Sequence, residues 1–529
     1  MTGIANAIAP PPAEFNFAAH LFERNAAREA RIAYRDDNGT LTYGELALRS
    51  RRFASALRSL GLHREERILL VAHDTREWPV AFLGALHAGI VPVAANTLQS
   101  ADDYAYMLAH SRAQALVVGS ALLPTLARAL AAAPHEVKHV IVVGPGGALD
   151  AAHQEFEVLV AAATPAAAAA KTRADEAAFW LYSSGSTGRP KGTVHTHANP
   201  YWTDALYARN VLGLTENDTV FSAAKLFFAY GLGNALTFPL SAGATVVLMP
   251  ERPTPQAVFK RLTTQQPTVF YGVPTLYAAM LAAPDLPAQS AVALRLCTSA
   301  GEALPRELGE RFGAHFGCAV LDGIGSTEML HIFISNRSGA LRYGTTGQPV
   351  PGYDIELRGD DGGPVTDGAI GDLYVKGPSA ALMYWRDRDR TTATFQGAWT
   401  KSGDKYIHEA DGYYVYAGRA DDMLKVSGMY VSPFEVEAAL ARHPAVLEAA
   451  VIGRQDADGL TKTQAYVVLK PDHDGDAALA QALQAFVKDQ LAPYKYPRQI
   501  EFIGELPKTA TGKIQRFRLR ERARDDPAR

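Results

Sequence analysis

A chain of 529 residues, 48% apolar and 20% charged, is long enough for several cores and has the composition of an ordinary globular protein. Its net charge of −3 gives no global basic field for nucleic acid or a membrane surface, and no apolar run approaches a membrane span. The two cysteines, Cys297 and Cys318, show neither a disulfide framework nor metal-ligand spacing, and no basic, apolar leader opens the chain, so a reducing cytoplasmic setting is expected.

In chain order, a helical stretch is expected over Phe15 to Ala30. Thr42 and Glu45 have capping-box spacing and open a helix that continues through Leu57. Short apolar runs then alternate with helical patterns. Strands are expected at 68–72, 91–94, 115–118 and 140–143, with helices at 78–87, 101–110 and 122–131. Such alternation predicts a mostly parallel sheet with helices on its faces. The alanine-rich 161–171, interrupted by Pro165, reads as a surface connector.

An apolar run, Phe179 to Tyr182, feeds into Ser183, Ser184, Gly185, Ser186, Thr187, Gly188, then Arg189, Pro190, Lys191 and Gly192. Thr193 to His197 follows as an extended segment, so the loop joins two strands. Its glycines allow close backbone approach. Its hydroxyls and free N–H groups can wrap phosphate oxygens, and Lys191 adds positive charge. The spacing is not that of the Walker loop, because no Ser/Thr follows the lysine. A plain flexible Gly/Ser hairpin is the alternative.

A second alternating series has strands at 220–223, 245–248, 268–271, 294–298 and 320–321. Its helices fall at 256–264, 275–281 and 306–316. The two series imply two similar α/β subdomains with a cleft between them, where ligands lie beyond the carboxyl ends of the strands. Two motifs follow such strands. In Thr298-Ser299-Ala300-Gly301-Glu302, small residues would admit a flat purine, or form only a helix-entry turn. In Asp322-Gly323-Ile324-Gly325-Ser326-Thr327-Glu328, Glu328 suits a magnesium ion that also takes phosphate oxygens, or complements a helix dipole.

From Gly344 the sequence turns to turn-rich β. Asp360 to Gly363 is a hairpin signal and Gly371 to Val375 a strand, giving a small distorted barrel to about Gly418. Within it, Asp404 could accept both hydroxyls of a ribose diol, with Arg419 donating to the same sugar; alone, Asp404 is equally a surface-turn aspartate. The boundary falls near 419–422, dividing the chain into 1–420 and 421–529. Ser432-Pro433-Phe434-Glu435 supplies an N-cap, an N1 proline and a capping-box glutamate. Its helix runs to His443, strands follow at 449–452 and 465–469, and a helix at 478–491. Lys513, in Leu506-Pro507-Lys508-Thr509-Ala510-Thr511-Gly512-Lys513-Ile514, can project from a mobile loop, or is a solvated lysine like most. Arg516 to Arg524 reads as a solvated last helix rather than a basic tail.

Taken together, these strings resemble the adenylate-forming enzymes: acyl-CoA synthetases, peptide-synthetase adenylation domains and luciferases. Within that family they look most like benzoate–CoA ligases, over nearly the full length. The resemblance implies an α/β multi-domain fold. It comprises a large N-terminal domain of two α/β subdomains plus a distorted β-barrel, and a small mobile α+β C-terminal domain. It implies ATP, Mg²⁺ and coenzyme A, with Ser183 to Gly188 and Lys191 on the phosphates and Glu328 on the metal. Ala300, Gly301, Glu302, Asp322, Gly323, Ile324 and Thr327 fall at its adenine positions, and Asp404 and Arg419 at its ribose pair. Asp421 falls at its hinge, Ser427 and Gly428 in its CoA tunnel, and Lys513 at its catalytic lysine. The small domain would swivel, so that Lys513 serves adenylate formation alone.

Two positions depart from the family pattern: Ile324 stands where an aromatic is usual, and Tyr430 where some relatives have arginine. Phe228, Ala229, Tyr230, Gly325, His331, Ile332 and Ile334 become candidates for the acyl pocket, although His331 is equally a packed histidine. No aspartate in Lys225 to Gly233 could pair with an ammonium group, which argues against an amino acid. The implied partner is a small aromatic carboxylate, benzoate first. 4-Hydroxybenzoate, 2-aminobenzoate or a carrier-protein thiol are the alternatives, in a monomer or homodimer without nucleic acid or membrane.

Overall fold

The computed structural model describes residues 8–144, 153–183, 189–420, 422–426, 429–455, 461–471, 473–491, 495–508 and 514–525. They form two compact units, Met1–Ile355 with Val375–Lys401, and Glu356–Tyr374 with Ser402–Arg529.

The first unit holds two sheets. One runs, edge to edge, through Met383–Tyr384, Lys191–Thr196, Ala177–Ser183, Val91–Ala94, Arg67–Val71, Ala115–Gly119, His139–Val143 and His153–Glu155. From Ala177–Ser183 to His153–Glu155 the pairing is parallel. Ile68 to Val71 and Ala115 to Val118 are wholly buried, as strands covered on both faces must be. The Thr42–Glu45 capping box forms: Glu45 N–H donates to Thr42 Oγ1 at 3.2 Å, and Thr42 N–H to Glu45 Oε2 at 2.8 Å. It opens the helix Tyr43–Ser59. The first helix is shorter than expected, Phe17–Arg24, closed by a 3₁₀ turn over Ala26–Arg28.

The other sheet runs Gln348–Pro349, Ile332–Ser335, Ala319–Gly325, Leu296–Ser299, Val269–Gly272, Thr219–Ser222, Thr245–Val247, Ile32–Asp36 and Gly39–Thr42. Its centre is parallel and both edges are antiparallel. The strands ending at Ser222, Gly272 and Ser299 therefore bring their carboxyl ends to one edge. Phe221, Phe270, Cys297 and Val320 pack beneath the helices Pro255–Gln265, Pro274–Ala282 and Arg306–Phe316. The two cysteines are free thiols in this core, with sulfurs 3.7 Å apart.

The sequence reading left 198–242 without helices. The structure has Ala198–Thr203 and Asp204–Leu212, then Ala229–Leu232, Gly233–Thr237 and Phe238–Ala242, with the second and fourth segments π-helical. Their residues are apolar on nearly all sides, so no 3.6-residue period stands out.

After Gly344, a half-barrel sheet forms from Asp354–Arg358, Ile370–Lys376, Trp399–His408, Phe395–Gln396 and Tyr414–Arg419. In the second unit, Val446–Gln455, Thr461–Leu469 and Gln499–Phe502 make a three-stranded sheet. Val436 and Leu440 of the helix Pro433–Ala441, and Leu483 and Val487 of Ala477–Gln490, pack on Val451 and Val467.

Two expectations are corrected here. Ser432 caps its helix, accepting from Glu435 N–H at 3.2 Å, but the Glu435 carboxylate does not return to close the box. It takes the Lys495 ammonium at 2.7 Å instead, a charged donor that outcompetes a neutral N–H. The last helix, Arg516–Asp525, is not simply solvated. Leu519 is buried, and Arg516 donates to both oxygens of Glu437 at 2.7 Å. Lys508 is likewise paired, with Glu448 at 2.6 Å. Among the described residues no helix is long and apolar enough to cross a membrane.

Candidate active site

The phosphate-loop candidate is a hairpin between Ala177–Ser183 and Lys191–Thr196. Register pairs Ser183 with Lys191, so the serine hydroxyl and the lysine stand side by side at its mouth. Ser184, Gly185, Ser186, Thr187 and Gly188 lie outside the described residues. The Ser183 hydroxyl is buried with no hydrogen-bond partner among the described residues, a donor awaiting an acceptor.

Lys191 reaches across to the other subdomain. Its Nζ is 3.6 Å from Glu328 Oε1 and donates to Tyr384 Oη at 3.1 Å, lying 4.4 Å over the Tyr384 ring. Tyr384 in turn donates to Glu328 Oε1 at 2.6 Å. Burial pushes the Glu328 carboxyl up, but the Lys191 charge and the Tyr384 hydroxyl outweigh it, and the net direction is down. The site thus holds an ionised carboxylate ready for a cation.

The backbone around Glu328 is pinned. His195 Nε2 donates to Thr327 O at 2.8 Å, Ala381 N–H to Glu328 O at 2.7 Å, and the Ser379 hydroxyl to Met329 O at 2.8 Å. His195 Nδ1 accepts from Asn199 at 3.3 Å, and burial takes its pKa to about 4, so it stays neutral. Among the described residues no cluster of three or more His, Cys, Asp or Glu could hold a metal. One carboxylate beside a phosphate loop suits Mg²⁺, which takes one or two carboxylates with phosphate oxygens and water.

Ser299 and Asp322 are register neighbours at the carboxyl edge of the second sheet. Ala300 is buried and Gly301 exposed, at φ +90°. Burial pushes the Asp322 carboxyl well above its ordinary range, against N–H groups of Leu304 and Gly323. The Ser299 hydroxyl also faces this carboxyl, and Asp322 Oδ1 has no hydrogen-bond partner among the described residues. Gly323, Ile324 and Gly325 extend this strand against Ser335, Ile334 and Ile332. A Cβ on Gly325 would stand 2.5 Å from His331 O, so no other residue fits there. Glu302 and Thr327 are half-buried beside these segments.

The acyl-pocket candidates converge as well. His331 is ringed by Phe238, Tyr207 and Tyr230 at 4.4, 5.4 and 5.5 Å between centroids. Its Nε2 donates to Tyr230 O at 3.3 Å, and burial lowers its pKa to about 3. It is an uncharged packed ring, not a cationic partner for a carboxylate. Tyr230 Oη meets Thr298 Oγ1 at 2.5 Å. Phe228 and Ala229 are half-buried at the start of the helix Ala229–Leu232, while Ile332 and Ile334 are buried in their strand. Two residues the sequence reading passed over belong here: Asn234, fully buried with its amide facing the Tyr230 hydroxyl, and Tyr271, whose buried hydroxyl has no hydrogen-bond partner among the described residues. Tyr384 was also passed over; its edge strand carries no local signal.

In the second unit, Asp404 and Arg419 are register partners on adjacent strands, with Nη1 3.1 Å from Oδ1. Asp421, Ser427, Gly428 and Lys513 lie outside the described residues.

A serine- and glycine-rich hairpin, Glu328 held by Lys191 and Tyr384, and small residues at the carboxyl edge of a mostly parallel sheet suit a nucleotide-using enzyme. The AMP-binding enzyme family profile matches residues 21–385, that of its C-terminal domain matches 435–513, and the chain belongs to this family. A benzoate–CoA ligase of Thauera aromatica is 56% identical over 513 residues, covering 96% of each chain. A 4-hydroxybenzoate–CoA/benzoate–CoA ligase of Rhodopseudomonas palustris is 48% identical, over 97% of this chain and 95% of its own. The crystal structure of a benzoate CoA ligase from Burkholderia xenovorans superposes with a TM-score of 0.90 at 63% identity, covering 96% of this chain and all of that one.

Proposed function

We propose that the protein joins benzoate to coenzyme A at the expense of ATP, through benzoyl-AMP, releasing AMP and pyrophosphate. The observation that supports this best is the Lys191–Glu328–Tyr384 cluster at the mouth of the phosphate hairpin, beside an aromatic cage with no charged group in it. His331 is neutral, and burial pushes up the carboxyl of Asp322, whose field reaches the Tyr207 and Tyr230 hydroxyls. Nothing in that cage could pair with an ammonium, so the reading is an aryl acid rather than an amino acid.

A carboxylate expels oxide poorly, and its attack on a phosphate is opposed by charge repulsion. In the first half-reaction a carboxylate oxygen bonds to the α-phosphorus of ATP. The bond from that phosphorus to the bridging oxygen breaks, and its electron pair leaves with pyrophosphate. Lys191 and Ser183 would hold the outer phosphates, and Lys513 would bridge the carboxylate and the α-phosphate. Mg²⁺ on Glu328 would supply positive charge where the pyrophosphate departs. Asp404 and Arg419 are assigned to the ribose. Ala300, Gly301, Glu302, Asp322, Gly323, Ile324 and Thr327 are assigned around the adenine. In the second half-reaction, residues 421–529 would withdraw Lys513 about Asp421 and present Ser427 and Gly428 to the pantetheine thiol, which displaces AMP.

The test is acid-dependent ATP–pyrophosphate exchange across a panel of aryl and alkyl acids, repeated with CoA to detect thioester. Benzoate is expected to lead. A panel on which no aryl acid supports exchange would overturn the assignment. Lys513→Ala is expected to abolish exchange while thioester formation from supplied benzoyl-AMP persists.

A further inference from the structure

Beside the phosphate hairpin lies a cavity of about 360 Å³ that shares Lys191 and Tyr384 with the cluster above and extends away from Glu328. Pro190 and Lys191 form one wall. The helix Ala101–Ser111 gives Tyr106 and His110, and the segment after Tyr384 gives Arg386, Asp387 and Arg390. Lys191, Arg386 and Arg390 therefore line it with one carboxylate, Asp387, which Arg390 engages at 3.1 Å, while Lys191 faces Glu328 at 3.6 Å. Arg189, exposed and outside the lining, lies 5.1 Å over the Tyr106 ring.

The cavity is a rigid construction. His110 Nδ1 meets Tyr182 Oη at 2.9 Å on the hairpin strand, and its Nε2 meets Trp385 O at 3.2 Å. Trp385 Nε1 donates back to His110 O at 3.1 Å. Burial lowers the His110 pKa, leaving it neutral, so the charge comes from lysine and arginine alone. Arg386 holds a left-handed backbone, φ +52°, unusual for a residue with a side chain, and pairs with no carboxylate among the described residues. With Lys191 and Arg390 each beside a carboxylate, Arg386 leaves this concave wall with net positive charge, a receptor for a compact anion.

We infer that this cavity receives pyrophosphate as it leaves the phosphate loop, a product-release subsite distinct from the seat of ATP. The inference rests on the adenylate-forming reading above. Lys191 is common to both places, so it can pass the same two phosphates from the loop to Arg386 and Arg390 once the bond to the α-phosphorus is broken. The ligand class is an inorganic diphosphate. The terminal phosphate of CoA is the competing anion, and the test separates them.

Arg386→Asn keeps a residue that accepts the left-handed backbone and removes the charge. The pyrophosphate concentration giving half-maximal exchange should rise about fivefold or more, while the ATP dependence moves less than twofold. An unmoved pyrophosphate dependence, an equal shift for ATP, or a shift only in the KM for CoA would each overturn the inference. Calorimetric titration of the whole enzyme with inorganic pyrophosphate gives the second measurement. Weaker binding by Arg386→Asn than by the parent supports the subsite, and no binding by the parent refutes it. If no acid supports exchange, the proposed function fails, and this titration still decides the subsite.

Discussion

Tyr384→Phe isolates one hydroxyl. That hydroxyl donates to Glu328 at 2.6 Å and accepts from Lys191 at 3.1 Å. Phenylalanine keeps the ring, its contact with Phe395 at 5.5 Å, and the face over which Lys191 lies. A hydrogen bond to a charged group is worth roughly 1.5–3 kcal/mol, or about 10- to 150-fold in rate if it is fully needed at the transition state. Lys191 still faces Glu328 at 3.6 Å, so the low end applies, about a tenfold fall in exchange kcat/KM for ATP. The hydroxyl also holds the Glu328 carboxyl down, so its loss raises that pKa. Glu328 is then protonated sooner as pH falls, and the acid limb of the exchange profile moves to higher pH. The assay is exchange across pH, paired with thioester formation from supplied benzoyl-AMP. A loss under twofold with an unmoved acid limb, or equal loss in both half-reactions, would refute the reasoning.

Gly325→Ala forces a Cβ to within 2.5 Å of a backbone carbonyl, so the strand Ile332–Ser335 must shift; a stability loss of about 1–3 kcal/mol by urea melt and a raised KM for benzoate are expected. Arg516→Ala removes the cation from the buried Glu437 carboxylate, which also accepts Val451 N–H at 2.7 Å. Roughly 3 kcal/mol should be lost from the second unit, read as faster hydrogen exchange over Val446–Gln455. His20, His87, His195 and His197 are held at about 4 and His331 at about 3, against 6.5 when unfolded. Below pH 6.5 the unfolded chain binds more protons, so stability falls as pH falls. Asp74 and Asp204, raised to about 6, and Asp322, raised further, oppose this, but five histidines outweigh three carboxyls, so Tm should fall as pH is lowered from about 6.5 to about 5 in a calorimetric series. A flat Tm across that interval would contradict the burial argument.

What the sequence disclosed was local. The capping box of Thr42 and Glu45, the strand–loop–strand around Ser183 to Lys191, and the small residues after Ser299 and Leu321 all follow from a few neighbouring letters. What it hid was remote or unpatterned. Tyr384 pairs with Thr193 across nearly two hundred residues, from a strand of only two residues. Ile32–Asp36 joins the second sheet beside Thr245–Val247, although it precedes every strand of the first. Asn234 sits in a π-helical turn buried on all sides, where no amphipathic stripe can mark it. Glu435 had the spacing for one bond and the charge for another, and only the fold brings Lys495 to it.

The two-residue strand Met383–Tyr384 has a consequence for synthesis. Until the ribosome has delivered it, the hairpin strand Lys191–Thr196 is the bare margin of its sheet, open to pairing with any other nascent chain. The hairpin edge is thus closed by one of the last pieces of its unit to be made. A nascent chain shorter than this would own the parallel core yet lack the clasp on Lys191 and Glu328. The Tyr384 contacts with Lys191 and Glu328 are in this way deferred until the unit is nearly whole.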